Sequence, residues 1–385
     1  MGNEVGRQPE GGAYQRGLRD NFLRLGRADG TAVSSIVEAR DGDGERNSFR
    51  DLYMLQGRIG TGSHSQVFRA VERATGRAVA VKAVDTDTAG WLDRDLRHLA
   101  FLRAEISIHR EVSGHPFVVE LLGVFEDPEA CFIVQELAEG GSLLDHLHSR
   151  ASMGTEGEVR LLLRRLLSAL VFLHSRHIVH RDIKPENILI LEEGEMPSGK
   201  LGDFGFATRF LDQNATAGPA ATTTTTAVGT PEYVAPEVLL QQPLSGKADV
   251  WSAGVTAFCL LSGAMPFRGL TLDTLYTAVL DGACSYAGAE WGRVSPRAQD
   301  LVRRMLVVDP GERWTALQLL QHPWLADEDG AGPGGATGAG FAVATLGLGR
   351  RARVRLRALV LAVVFLNRLR VLRVRRLRDQ ELGSP

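Results

Sequence analysis

The sequence predicts an α+β fold in two unequal parts, a small β-rich part followed by a larger helical one. Strand-like alternation and turn-rich glycines fall at 56–67, 78–82 and 131–134, interrupted by a single helical pattern from about 92 to 112. Beyond the glycines of Glu139-Gly140-Gly141, which mark a connector, apolar residues recur three and four apart over 143–148 and roughly 156–175. A chain of 385 residues is long enough for two compact lobes, each with a substantial core.

Taken in order, residues 1–52 carry Gly, Arg, Asp and Glu with scattered apolar positions, too few to offset ordering entropy, so a flexible arm is expected. Met1-Gly2-Asn3 resembles the start of a myristoylation signal, but Gly6 stands where Ser or Thr is wanted and an ordinary start is the plainer reading. In Ile59-Gly60-Thr61-Gly62-Ser63-His64-Ser65-Gln66-Val67, apolar ends flank a turn-rich centre, which reads as strand, turn, strand. Glycines there let backbone N–H groups approach phosphate oxygens that a side chain would block. Lys82 ends the alternating strand that contains Ala80, and Glu105 lies on the helical pattern ahead of Ser113-Gly-His-Pro116. A buried strand, Cys131-Phe-Ile-Val134, leads through Gln135-Glu136-Leu137-Ala138 to the glycine connector.

His180-Arg181-Asp182-Ile183-Lys184-Pro185-Glu186-Asn187 lies between the apolar runs 178–179 and 188–190, a polar loop pinned at both ends by buried strands. Lys200-Leu-Gly-Asp203-Phe-Gly205 sets a carboxylate near a glycine at which the chain can turn sharply. Residues 211–227 form a low-complexity loop with five consecutive threonines, Thr222 to Thr226, and Gly229-Thr230-Pro-Glu-Tyr233 and Ala235-Pro-Glu237 follow. Residues 326–340 read as a Gly-rich linker. From Phe341 onward 11 arginines face only Asp379 and Glu381, so residues 1–340 carry about −11 beneath an overall charge of −2. The longest apolar run of that tail, 358–366, is far short of a membrane span, and no signal peptide opens the chain.

Gly-loop, strand Lys, helix Glu, His-Arg-Asp, Asp-Phe-Gly and Ala-Pro-Glu stand in the order of the protein-kinase signature, and residues 53–325 resemble a eukaryotic-type protein kinase. The resemblance implies a bilobal fold, with a β-rich N-lobe at 53–137 carrying one regulatory helix and a helical C-lobe at 140–325. ATP is then the nucleotide and Mg2+ the metal. The resemblance places Ile59 to Val67, Ala80, Gln135 and the backbone of Glu136 and Ala138 around ATP, with Lys82 on its phosphates and Glu105 holding Lys82. Asp182 becomes the base, Lys184 the stabiliser of the migrating phosphoryl, and Asn187 and Asp203 the magnesium ligands. Thr230 contacts Asp182 and Lys184, Glu237 pairs with a buried arginine, Arg313, and Asp249 bonds the catalytic-loop backbone.

Lys184 and the Gly229-Thr230-Pro motif resemble the serine/threonine class. Ser65 of the Gly-loop, Val112-Ser-Gly-His-Pro116, Asp203-Phe-Gly-Phe206, Leu306-Val-Val-Asp-Pro310 and the arginine-rich tail resemble the catalytic subunit of phosphorylase kinase, in the calcium/calmodulin-dependent group. Ser142 departs from that subunit's Glu, which leaves substrate sequence preference open. Phe206 favours serine acceptors and Glu186 offers a carboxylate to a basic substrate residue. Arg181 calls for an anion, which a phosphate on Thr226 or a carboxylate such as Glu232 would supply. Residues 350–378 read as a target for calmodulin or a regulatory subunit, as a membrane-surface contact, or as a helix folded back on the acidic body. Protein substrates are expected and no nucleic acid. Cys131, Cys259 and Cys284 sit in or near apolar stretches, as free thiols of a cytoplasmic protein. A scaffold that keeps the fold without the chemistry is the alternative class, and it usually lacks Lys82, Asp182 or Asp203.

Overall fold

A computed structural model of the chain describes residues 48–61, 65–86, 95–127, 130–149, 154–210, 229–284, 286 and 291–326. The expectations for Gly62, Ser63, His64 and Thr226, for the arm before residue 48, for the linker beyond Ala326 and for the tail with its 350–378 segment lie outside the described residues.

Five antiparallel strands form the N-lobe sheet in the order β1-β2-β3-β5-β4: β1 Tyr53–Thr61, β2 Ser65–Glu72, β3 Ala78–Asp85, β4 Leu121–Glu126 and β5 Ala130–Glu136. Strand periodicity splits β3 between two surfaces. Val79, Val81 and Ala83 join Phe125, Phe132 and Val134 on one side, while Val84 on the other packs with Ile133 beneath Leu102 and Ile106 of a helix. Ala80 and Lys82 share that second side by alternation, facing the helix that carries Leu102 and Ile106.

One expectation needs correction here. The arm was drawn to residue 52, but Phe49–Leu52 is a short helix, α1, whose Phe49 is buried in the sheet core. Its ring stacks on Phe132 at 4.3 Å and on Tyr53 at 5.5 Å, and Ser48 donates to Asp51 from both its N–H and its hydroxyl, at 2.8 and 2.6 Å. One aromatic buries enough surface to anchor an otherwise polar stretch. One strand was not expected at all: β4, whose sequence Leu-Leu-Gly-Val-Phe-Glu lacks clean alternation and shifts register between Leu121 and Gly123.

The helix expected to be regulatory, α2, is described over Asp95–Val112. In the C-lobe, α3 Leu143–Ser149 and α4 Glu156–His174 precede the loop, and α5 Pro236–Leu239, α6 Lys247–Ser262, α7 Leu272–Leu280, α8 Pro296–Met305, α9 Ala316–Leu320 and α10 Pro323–Ala326 follow it. Residues 248–262 of α6 are all buried, which makes this helix the centre of the lobe. Two small sheets frame the functional loop, β6 Ile178–Val179 with β9 Thr208–Arg209, and β7 Ile188–Ile190 with β8 Gly199–Leu201. Among the described residues no helix is long and apolar enough to cross a membrane.

Candidate active site

The loop between β6 and β7 is held from beneath by Asp249 of α6. Its carboxylate, wholly buried, accepts from the backbone N–H groups of His180 and Arg181 at 2.9 Å each and approaches His174 Nε2 at 2.9 Å. Burial works against that charge, but the bond to His174 and the histidines' field outweigh it and keep the carboxyl below its ordinary range. The two backbone bonds fix Arg181 in the left-handed region at φ 68°, a conformation costly for a residue with a side chain.

With the loop so turned, Asp182 is surrounded by donors. Its Oδ1 accepts from the N–H and hydroxyl of Thr230 at 3.2 and 3.1 Å, and its Oδ2 lies 2.7 Å from Lys184 Nζ and accepts from Asn187 Nδ2 at 2.8 Å. Lys184 also donates to Thr230 Oγ1 at 2.6 Å. Thr230 can come this close because Gly229, at φ 108°, has no side chain: a Cβ there would lie 2.7 Å from the Arg181 carbonyl oxygen. The expected contact of Thr230 with Asp182 and Lys184 is therefore present.

On the cleft's other wall, Lys82 Nζ lies 2.5 Å from Glu105 Oε1 and 3.2 Å from Asp203 Oδ1. Burial opposes the Lys82 charge, yet the carboxylates of Asp203 and Glu105 more than compensate and hold its pKa above the ordinary value. In return, chiefly the Lys82 charge lowers the half-exposed Asp203 to about 2. The sharp turn expected at Gly205 is instead made at Asp203, with φ 57°, and Gly205 is needed for space: a Cβ would stand 3.2 Å from Asp203 Oδ1 and 3.4 Å from Glu105 Oε2.

Of the residues expected around the nucleotide, Ile59, Gly60 and Thr61 end β1 and Ser65, Gln66 and Val67 open β2. Val67 is registered against Lys82 and Ala80 against Gln135, which gathers them on one patch of sheet. Gln135 and Glu136 end β5, and Ala138 follows with its carbonyl accepting from Gly141 N–H at 3.2 Å. Glu186 is exposed. Arg181 forms no ion pair among the described residues; its Nε donates to the Phe206 carbonyl oxygen at 2.7 Å, and Glu232 does not reach it. Glu232 Oε2 is buried without a hydrogen-bond partner. The Glu237–Arg313 pair is present, bidentate at 2.7 and 2.9 Å and fully buried.

Sequence reasoning missed His109. It lies one helical turn after Glu105 on the same face, and that spacing was the available signal. Its buried ring stands 4.9 Å from the Phe204 ring, which meets His180 at 5.2 Å, so α2, Asp203-Phe204 and the loop are stacked in one line. His109 Nε2 bonds the Val119 carbonyl oxygen at 2.8 Å, and burial lowers the pKa of the ring.

Magnesium fits the donors present. Asn187 spends its Nδ2 on the carbonyl and carboxylate oxygens of Asp182, which leaves its amide oxygen for a cation, and Asp203 is ionised. A five-stranded lobe with one helix, a helical lobe beneath and these side chains facing each other across the cleft constitute a bilobal kinase architecture. The chain belongs to the protein kinase domain family, whose model matches residues 53–325. It is 39% identical over 273 residues to human serine/threonine-protein kinase H1, covering 71% of this chain and 61% of that protein. It is also 37% identical to rat serine/threonine-protein kinase DCLK1, covering 77% and 67%, and 35% identical to calcium/calmodulin-dependent protein kinase type 1 of Macrobrachium nipponense, covering 77% and 81%. The chain thus spans about three-fifths of the length of the kinase H1 proteins it matches.

Proposed function

We propose that this chain is a serine/threonine protein kinase that transfers the γ-phosphoryl group of ATP to hydroxyls of protein substrates. The observation that carries the reading is the Asp182 carboxylate, fixed on both oxygens by Thr230, Lys184 and Asn187 beside an intact Lys82–Glu105 pair. Asp182 orients the acceptor hydroxyl and takes its proton, and Lys184 moves onto the transferring group. Lys82, steered by Glu105, holds the α and β phosphates. Magnesium, when bound through Asn187 and Asp203, neutralises phosphate charge. Positioning and charge complementarity account for most of the rate. The exposed Glu186 supports a basic residue in the substrate, and Phe206 supports serine as acceptor.

The finer reading is an enzyme of the calcium/calmodulin-dependent group, phosphorylase kinase-like, with residues 350–378 as target for calmodulin or a similar subunit. The motifs named above and the name of the Macrobrachium nipponense relative support it. Three free thiols support a cytoplasmic setting. Arg181, whose guanidinium forms no ion pair among the described residues, supports phosphorylation at Thr226 as an ordering signal. The test is transfer from labelled ATP with magnesium to a Ser/Thr peptide library and to a glycogen-phosphorylase peptide, with and without calcium-calmodulin. Asp182→Asn is expected to remove turnover by about 10³-fold or more while the protein stays folded. Wild-type protein that binds ATP and phosphorylates nothing refutes the reading.

A further inference from the structure

Glu136 and Lys200 form an ion pair that the proposed chemistry does not use. Lys200 Nζ lies 2.8 Å from Oε1 and 2.9 Å from Oε2 of Glu136, and the side chains are only 18% and 12% exposed. Oε1 accepts a further bond from the Glu120 N–H at 2.7 Å. The two residues belong to different lobes. Glu136 ends β5, at the backbone assigned to the adenine edge; Lys200 is the middle residue of β8, three residues before Asp203.

Backbone bonds build a bridge around this pair. Glu136 N–H donates to the Glu120 carbonyl at 3.0 Å, Val119 N–H to that of Leu201 at 2.9 Å, and Leu201 N–H to that of Phe117 at 3.0 Å. Residues 117–120 are therefore wedged between the end of β5 and β8. Gly202 N–H then donates to the Asn187 carbonyl oxygen at 2.9 Å, which carries the connection to the second proposed magnesium ligand. The bridge alone joins the strands through an intermediary; the Lys200–Glu136 pair joins them directly, with the ammonium within hydrogen-bond distance of both carboxylate oxygens.

We infer that Lys200 is a positioning residue for the nucleotide: by gripping Glu136 it sets the distance between the adenine-binding backbone and Asp203. A pair this far from water contributes little net stability, because desolvating the two charges offsets most of their attraction. Its measurable effect falls on geometry. ATP touches both ends of the tie, so loosening it weakens nucleotide binding more than it weakens the fold.

This inference rests on the kinase reading, and the test separates the two. Binding of a fluorescent N-methylanthraniloyl-ATP with magnesium is measured for wild type, Lys200→Met, Glu136→Gln, the double variant and Lys200→Arg, beside KM for ATP, KM for the acceptor peptide and thermal melting. Lys200→Met is expected to weaken nucleotide binding and raise KM for ATP about tenfold, the scale of one charge-assisted hydrogen bond, with KM for the peptide unchanged. Lys200→Arg restores most of the affinity, and the double variant is no worse than the poorer single one. A folded Lys200→Met protein with wild-type nucleotide affinity overturns the inference, as does a lowered melting temperature with affinity retained. Should Lys200→Met not fold, Glu136→Gln and Glu136→Asp break or shorten the pair from its other end, and unchanged affinity in both overturns it equally. Absence of phosphotransfer in the wild type refutes the kinase reading alone, because nucleotide binding still reports on the tie.

Discussion

Replacing Asp249 by Asn tests whether a side chain that never meets substrate sets the rate. The carboxylate accepts His180 N–H on Oδ2 and Arg181 N–H on Oδ1, both at 2.9 Å, with His174 Nε2 also on Oδ2. Asparagine has one oxygen. If it serves Arg181, the amide NH2 faces the His180 N–H; His174 can change tautomer, but a backbone donor cannot. One charge-assisted bond is lost and a buried N–H is left without a partner, together about 2–3 kcal/mol. Arg181 gains a reason to leave φ 68°, where a residue with a side chain is strained by roughly 1–2 kcal/mol. Against a global stability of about 5–15 kcal/mol the fold survives. If about 3 kcal/mol falls on the alignment of Asp182, kcat drops on the order of 100-fold, since each 1.4 kcal/mol or so is a decade. Steady-state kinetics on monodisperse protein, with near-UV circular dichroism to certify the fold, measure it. A folded Asp249→Asn enzyme with wild-type kcat would show that the loop is held by other contacts.

Phe49→Ala is expected to destabilise the protein by about 3–5 kcal/mol, because it empties the stack on Phe132 and Tyr53; urea midpoints give the value, and a change below about 1 kcal/mol would mean that α1 is not part of the core. His109 carries a pH signature. Its folded pKa lies below the ordinary value of about 6.5, so the folded ring stays neutral where the unfolded one takes a proton, and stability falls as pH drops below 6.5. His109→Leu should flatten the difference between urea midpoints at pH 7.5 and 5.5; an unchanged difference assigns the acid sensitivity to another group.

The parts of the site that were legible in the sequence are those whose chemistry demands one residue type at one spacing. Asp182, Lys184 and Asn187 share a loop of eight residues, and the strands on either side are apolar runs, so the order of types nearly specifies the geometry. Lys82 and Glu105 were legible only through the family resemblance, and the structure supplies the reason: alternation sets which side of β3 Lys82 faces, and α2 packs on that side. The misses are of two kinds. Phe49 and β4 break the local rules, one as an aromatic in polar surroundings, the other as a strand without alternation, and tertiary packing decides both. Lys200 and Glu136 break no rule, yet neither is conspicuous, since a lysine on a short strand and a glutamate at a strand end are ordinary solvated residues until the segment 117–120, bonded to both β5 and β8, brings two separate sheets together and places the pair 2.8 Å apart. Their separation of 64 residues is invisible to any periodicity. His109 stands between the two kinds: helical spacing puts it on the face of Glu105, but only Phe204 folding inward shows what that face touches. Local pattern therefore reveals the groups that meet the reactants, whereas the groups that hold those groups in place depend on topology, and it is among these that variants should separate binding from fold.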